Sequence, residues 1–509
     1  MNSTDNYIGM AGDYAIATGG TGGTPSSMEK KLGTSHSSFG SVPAVGDVIS
    51  CLVDFDNTTM SFWLNGSTAS SWGDITTSLP TGDYVPLIGD GYQGGNVKGT
   101  LNFGQFPFRY TPPEGYKPLT ANTAEPPTII RSDKYVGVTT YIGTGNGTIN
   151  VNQDFNFQPD LIMFKDTGST ENWAWYDAVR GTSNALRSNT DGQQSQFGDV
   201  VCVPQSNGFK ITGSNTAGIN GSSELIASWC WKAGGNNDTF NYNDIGYGSA
   251  SAMNSATGVD MDAGDINPSA CSISTKTGLS IVQYTAAGDG DRVAHGLDGT
   301  PDILITKVTS ENSQNWSVYT TLLDGSYDYM TLNSNNAAAS SGQTAFNATT
   351  FPNIHGSGKT VINYLWKSVP GFSKFGTYVG NGATFATAGS KGNFVTLDFY
   401  PRIIWLKRAV PNSSPDGDTS HSAWTVYDTR REQYNGQIPK PLYLNYNVAE
   451  GKRGDGSGTS GLADLTVNAQ SNGFWLSGPG SEVNSDTGQY LFFAWAEQPQ
   501  HNLYGGISN

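Results

Sequence analysis

A chain of 509 residues exceeds what one hydrophobic core organises and predicts roughly three to four domains. Only 14% of residues are charged and 65 are glycine, a balance that disfavours long surface helices and suits strands joined by tight turns. The 27 basic and 43 acidic residues leave a net charge of −16, which argues against a nucleic-acid surface or docking on anionic lipid.

Met1 is followed by Asn, Ser, Thr and Asp rather than a basic then apolar leader, and no apolar run approaches the roughly 20 residues that span a bilayer, so neither general secretion nor membrane insertion is expected. The first definite signature is Val45 to Gly66. Val48, Cys51, Val53 and Phe55 are assigned to one strand, Asp56 to Thr59 to a turn, and Met60 to Leu64 to a returning strand that ends at the turn dipeptide Asn65-Gly66. Farther on come Val85-Pro86 and Asn102-Phe103-Gly104, followed by Phe106 and Phe108.

Together with Gly46-Asp47, the acidic hairpin Asp54 to Asp56 and Phe62 to Gly66, these segments resemble the second half of a SPRY domain, a β-sandwich of the concanavalin-like class. The resemblance covers about residues 5 to 108, and the opening strands expected before Tyr7-Ile-Gly-Met are missing from it. It implies a protein-binding module but carries over no ligand residue. Residues 1–110 are therefore assigned to this sandwich and 111–132, with Pro112, Pro113, Pro118, Pro126 and Pro127, to a stiff linker.

Beyond the linker the chain repeats itself three times. The first copy runs Pro159-Asp160 to Lys165, Trp173-x-x-Tyr176-Asp177, Ala185 to Asn189, Gln205 to Phe209 and Trp229-Cys-Trp231-Lys232. The second runs Pro301-Asp302 to Lys307, Trp316-x-x-Tyr319, Met330 to Asn333 and Trp366-Lys367. The third runs Pro401-Arg402 to Lys407, Trp424-x-x-Tyr427-Asp428, Leu442 to Asn445, Gln470 to Phe474 and Trp495. Each opens with a glycine-rich hairpin, at Tyr141, Tyr284 and Tyr378.

The assigned bounds are 133–235, 276–370 and 371–500, with 236–275 read as a polar linker. Each copy is expected to form a small sandwich in which the proline begins a strand and the Trp-x-x-Tyr pair fills the space between sheets. Trp173, Trp316 and Trp424 are expected to be packing residues rather than a sugar platform. The fold class is thus all-β, a row of tandem β-sandwich modules. The repeat set resembles an uncharacterised family found in virion proteins of marine tailed phages, which implies location and architecture but no chemistry.

No catalytic, cofactor-binding or metal-binding residue is assigned. His36, His295, His355, His421 and His501 lie outside any recognised nucleophile or zinc motif. Cys51, Cys202, Cys230 and Cys271 form no CxxC pair and read as reduced core residues, which fits synthesis in a host cytoplasm. No acid recurs in all three copies: Asp177 and Asp428 match, but Thr320 stands between them, so a structural acid is expected rather than a glycosidase pair. Asp260 to Asp265, Asp289-Gly-Asp291 and Asp416-Gly-Asp418 could hold calcium but read as acidic turns.

The expected function is a non-catalytic virion structural protein on the virion surface: a tail or capsid fibre, or a surface decoration. It would bind other virion proteins or a host cell-surface glycan or protein, as a homo-oligomer with a trimer favoured. A carbohydrate-binding or glycan-degrading surface protein and a pure assembly scaffold are the alternatives.

Overall fold

The computed structural model describes residues 14–19, 27–32, 35–69, 71–79, 100–103, 107–116, 128–151, 155–196, 201–214, 217–383, 392–410, 422–431, 437–438, 440–452, 466–478, 480 and 482–499. The fold is all-β, with one helix of eight residues, Ala250–Thr257, among the described residues. The chain divides into two compact units, Met1–Ala124 and Glu125–Asn509. The division falls inside the proline-rich stretch.

In the first unit the described strands form two three-stranded sheets. Ile49–Asp54 and Thr59–Leu64 make the expected hairpin, with Asp54 opposite Thr59. Two of its signature dipeptides meet: Asn65 takes the left-handed backbone of the turn (φ 51°), accepts from Val48 N at 3.0 Å and donates to Asp47 at 2.8 Å. The predicted faces need correction. Leu52 is the buried residue of the first strand, Cys51 is exposed, and Phe55 lies outside the strand in the turn, 59% exposed. Strand alternation explains this, because burying Leu52 turns Cys51 outward. Val85-Pro86, Gly104, Phe106 and Tyr7-Ile-Gly-Met lie outside the described residues.

In the second unit each repeat is built on the same four antiparallel strands in the same order. They are Val136–Ile142, Leu225–Trp231, Leu161–Asp166 and Ala174–Asp177 in the first repeat. Leu279–Thr285, Thr360–Trp366, Ile303–Val308 and Ser317–Thr320 follow in the second, and Ser373–Val379, Gln489–Pro499, Phe399–Val410 and Thr425–Asp428 in the third. Pro159 and Pro301 precede their strands, whereas Pro401 lies inside one, at a break in register, where its missing N–H is tolerated.

All six residues of Leu161–Asp166 and of Ile303–Val308 are buried, so both faces of these sheets are covered. One face packs within its own repeat: Ile162, Phe164, Tyr176, Cys202 and Phe209 form such a core in the first. The other face, with Leu161, Met163, Trp173 and Trp229, joins Ile305, Trp316 and Tyr364 of the second repeat and Trp405, Trp424 and Trp495 of the third in one shared core. The three repeats are therefore a single body around a common aromatic centre, where the sequence suggested a row of separate sandwiches.

The Trp-x-x-Tyr reading is corrected accordingly. Residues three apart on a strand point to opposite faces, so Tyr176 fills its own sandwich while Trp173 faces the shared core. Trp173, Trp316 and Trp424 are packing residues as expected, at 0%, 0% and 1% exposure.

The segment 236–275 is not a linker. Phe240–Tyr242, Ile245–Tyr247 and Ala270–Ser274 extend the sheet of the second repeat at one edge, which with Asp328–Thr331 and Ala339–Ser340 at the other has nine strands, and Phe240, Met253, Met261, Ile266 and Cys271 enter its core. Its short helix is capped by Ser249, which accepts from Ala252 N, and ended by Gly258 at φ 76°. A few well-placed apolar residues suffice because most of the segment is surface.

Candidate functional site

The residues that recur in the sequence bind the repeats to one another. The Trp316 indole donates to Arg187 O at 3.0 Å, that of Trp424 to Thr331 O at 3.0 Å and that of Trp173 to Tyr443 O at 2.7 Å. Arg187, Thr331 and Tyr443 each stand two residues before the recurring asparagine, so the second repeat bonds to the first, the third to the second, and the first to the third. A backbone bond repeats the relation: Gln194 N to Thr309 O at 3.1 Å, Ala338 N to Ala409 O at 2.8 Å and Glu450 N to Thr167 O at 2.8 Å. The ring is closed.

The asparagines position the tryptophans. Asn189, Asn333 and Asn445 accept from the backbone N–H of Trp173, Trp316 and Trp424 at 3.1, 2.9 and 2.9 Å.

The three lysines that end the proline strands are buried, and among the described residues their ammonium groups bond to backbone carbonyls. Lys307 donates to Asp191 O at 3.2 Å and Gln314 O at 2.6 Å, and Lys407 to Asn335 O at 3.3 Å and to Ser422 O, each spanning two repeats. Lys165 bonds within its own repeat, to Asp166 O and Ser169 O. Burial pushes Lys165 and Lys307 down to about 8 and Lys407 to about 7.

Asp177 and Asp428 have structural partners, as their partial recurrence suggested. Asp177 caps Arg180 N, pairs with Arg180 Nε at 2.6 Å and accepts from Tyr364 of the second repeat at 2.7 Å. Asp428 pairs with Arg431 Nε at 2.5 Å and accepts from Trp229 of the first repeat at 3.1 Å. At the third seam Thr320 and Leu323 replace the acid and the arginine, and Phe493 stands where Trp229 and Tyr364 carry a donor. Donor and acceptor are lost together, as burial requires.

The other polar candidates have local partners. His295 accepts from Leu297 N at Nδ1, 3.0 Å, which leaves the Nε2 proton for Asn347 O at 3.1 Å. His355 contacts Thr306 Oγ at 3.0 Å, and burial pushes both imidazoles down to about 4. Asp260 accepts from Asp262 N at 3.0 Å, and Asp265 from Arg292 N at 2.8 Å. Among the described residues no group of three His, Cys, Asp or Glu side chains is placed to hold a metal ion. The His36 side chain, His421, His501 and Asp416 to Asp418 lie outside the described residues.

A cavity of about 290 Å³ opens in the first repeat beside Tyr176, with Asp160 and Asp177 at its wall. Asp160 is fully buried and pushed up to about 6 by that burial, against hydrogen bonds from Ala233 N at 2.7 Å, Gly235 N at 3.0 Å and Ser272 Oγ at 3.1 Å. The sequence reading missed this cavity, because its lining comes from separate segments, 159–162, 176–182, 202–204 and 237, rather than from a motif.

The buried asparagines Asn220, Asn353 and Asn484 were also missed. Asn220 holds the first glycine-rich hairpin through Thr144 N at 2.8 Å, and Asn484 holds the third through Asn381 N at 3.1 Å. Their signal was one Asn late in each copy.

Residues 131–261 and 235–499 match a family described as a domain of unknown function, DUF7483, and the chain belongs to that family. No solved structure matches the chain.

Proposed function

We propose that this chain is a non-catalytic structural protein of a bacteriophage virion, a tail or capsid fibre or a surface decoration, that meets other virion proteins or a host cell surface. The observation that carries this reading is the use to which the recurring side chains are put. The tryptophans, the buried lysines Lys307 and Lys407 and the paired Asp–Arg groups join one repeat to the next. Recurrence here serves rigidity, and a closed body with both sheet faces covered suits an external part that must resist proteolysis and shear. The SPRY-like signature at the start of the chain supports a role in contact with a partner.

The sequence favoured a homotrimer, and that remains part of the proposal. The seam surfaces are already occupied within one chain, so copies would meet through outer faces or the first unit.

Mass spectrometry of purified tailed-phage particles tests the reading: peptides of this chain are expected in the particle at a fixed copy number. Absence from particles, together with release of reducing ends from glycans, would overturn it in favour of a glycan-degrading surface protein.

A further inference from the structure

The segment 236–275 is present once, whereas the third repeat follows the second directly. With the loops of the second repeat it bounds an open cleft of about 400 Å³, lined by Tyr242, Asp260 and Thr275 from the segment and by Leu297, Asp298 and Thr349 from the repeat. The volume falls within the range of small-molecule sites. Segments added to a rigid scaffold are where recognition residues concentrate.

The walls are fixed by the backbone. Tyr242 ends the strand Phe240–Tyr242, where it pairs with Ile273 in parallel register. Asn243 and Asp244 then turn the chain through left-handed backbone, at φ 48° and 72°. The Asn243 side chain accepts from Thr275 N at 3.1 Å and donates to Thr275 Oγ1 at 3.0 Å, which holds the tyrosine and the threonine on one wall. At the mouth, Gly258 has open space where a Cβ would stand.

The groups lining the cleft suit a sugar. Tyr242 is half-buried and brings an apolar ring that carries a hydroxyl. Burial, and the Asp298 charge nearby, push its phenol up, which keeps it protonated. Asp298 is exposed; its backbone oxygen accepts from Lys367 Nζ, while its carboxylate makes no hydrogen bond or ion pair among the described residues. Asp260 uses one carboxylate oxygen to accept from Asp262 N at 3.0 Å, and the other is left as an acceptor. Ionised carboxylates only accept, and the hydroxyls of a sugar donate. The same two charges, on a chain of net charge −16, repel an anionic sugar. A calcium ion takes roughly six to eight oxygen ligands, and no third acid stands with these two among the described residues.

We propose that this cleft binds a neutral pyranose sugar, with the C–H face of the sugar against Tyr242 and its hydroxyls donating to Asp298 and Asp260. The inference rests on the reading of the chain as one that meets a host surface, and for that reading it names the ligand class and the place of contact.

The test titrates the full chain with the methyl pyranosides of glucose, galactose, mannose and N-acetylglucosamine, followed by saturation-transfer NMR, with sodium glucuronate and calcium chloride titrated alongside. At least one neutral pyranoside should fill a saturable site, with a dissociation constant on the order of 1 mM for so few atoms. Asp298→Ala, at an exposed position, should keep the fold and weaken binding about tenfold. Tyr242→Ala should abolish binding, whereas Tyr247→Ala, on the neighbouring strand but outside the lining of the cleft, should leave it unchanged. Absence of saturable binding by all four sugars overturns the proposal, as does binding undiminished in Asp298→Ala. Glucuronate binding more tightly than every neutral sugar, or calcium displacing the bound sugar, overturns it too, since the two acids would then serve another ligand. A chain found in virus particles that binds none of the sugars loses this inference alone; a chain that binds them but is absent from particles loses the virion reading alone.

Discussion

The indole of Trp229 donates to Asp428 across 3.1 Å and lies under the guanidinium of Arg431, whose Cζ is 5.3 Å from the ring. One acid thus holds an arginine of its own repeat and a tryptophan of another. Asp428→Ala would leave Arg431 buried with Glu450 as its charged partner among the described residues, and a loss of about 3–5 kcal/mol is expected for breaking a buried pair. Denaturant titration of the variant measures it. A loss under about 1 kcal/mol would mean that the pair behaves as a surface ion pair.

The shared core predicts shared unfolding. Trp424→Ala should cost about 3–5 kcal/mol and lower the stability of all three repeats together, in one transition. Hydrogen exchange resolved by peptide tells whether the first repeat loosens along with the third. Protection unchanged in 136–166 would show that the repeats unfold separately.

The buried lysines set a pH dependence. Lys407 is held at about 7 and Lys165 and Lys307 at about 8, against an ordinary lysine value of 10.5. Between those values the unfolded chain binds protons that the folded chain does not, so these groups make stability rise with pH from about 7 toward 10. Lys407→Met should reduce that slope while leaving two carbonyls without their donor. Chemical denaturation at a series of pH values, wild type against variant, reads the difference.

The hairpin glycines are a steric requirement. A Cβ on Gly143 would lie 2.0 Å from Gly221 O, and one on Gly380 would lie 2.1 Å from Ser485 O. Gly143→Ala or Gly380→Ala should destabilise by about 1–3 kcal/mol, whereas Gly147→Ala, whose nearest neighbour is a threonine hydroxyl at 3.2 Å, should be mild. Thermal melts of the three variants rank them.

What the sequence revealed and what it hid follow from the same property of strands. The runs Leu161 to Phe164 and Ile303 to Ile305 lack polar alternation, which marks strands covered on both faces, and their buried state was legible. What covered the second face was not, since the partner of each strand lies in another repeat. Spacing showed that Trp173, Trp316 and Trp424 were equivalent but not that each reaches a neighbour, because a hydrogen bond to a backbone carbonyl leaves no residue signature. The polar segment 236–275 misled for a compositional reason: six buried apolar side chains, Phe240, Met253, Met261, Ile266, Cys271 and Ile273, anchor it among residues that are mostly polar.

The seam between Trp173 and Tyr443 joins residues 270 positions apart, and it fixes the order of events on the ribosome. The first two repeats can dock as they emerge, but the first repeat's face bearing Trp173 and Trp229 has no cover until the third has left the exit tunnel. At typical elongation rates of roughly 5–20 residues per second, that is tens of seconds during which a wide aromatic surface faces solvent. A neighbouring nascent chain offers the same surface as the missing repeat. Crowded polysomes would therefore favour exchange of third repeats between chains, and yield should fall with expression rate before it falls with temperature.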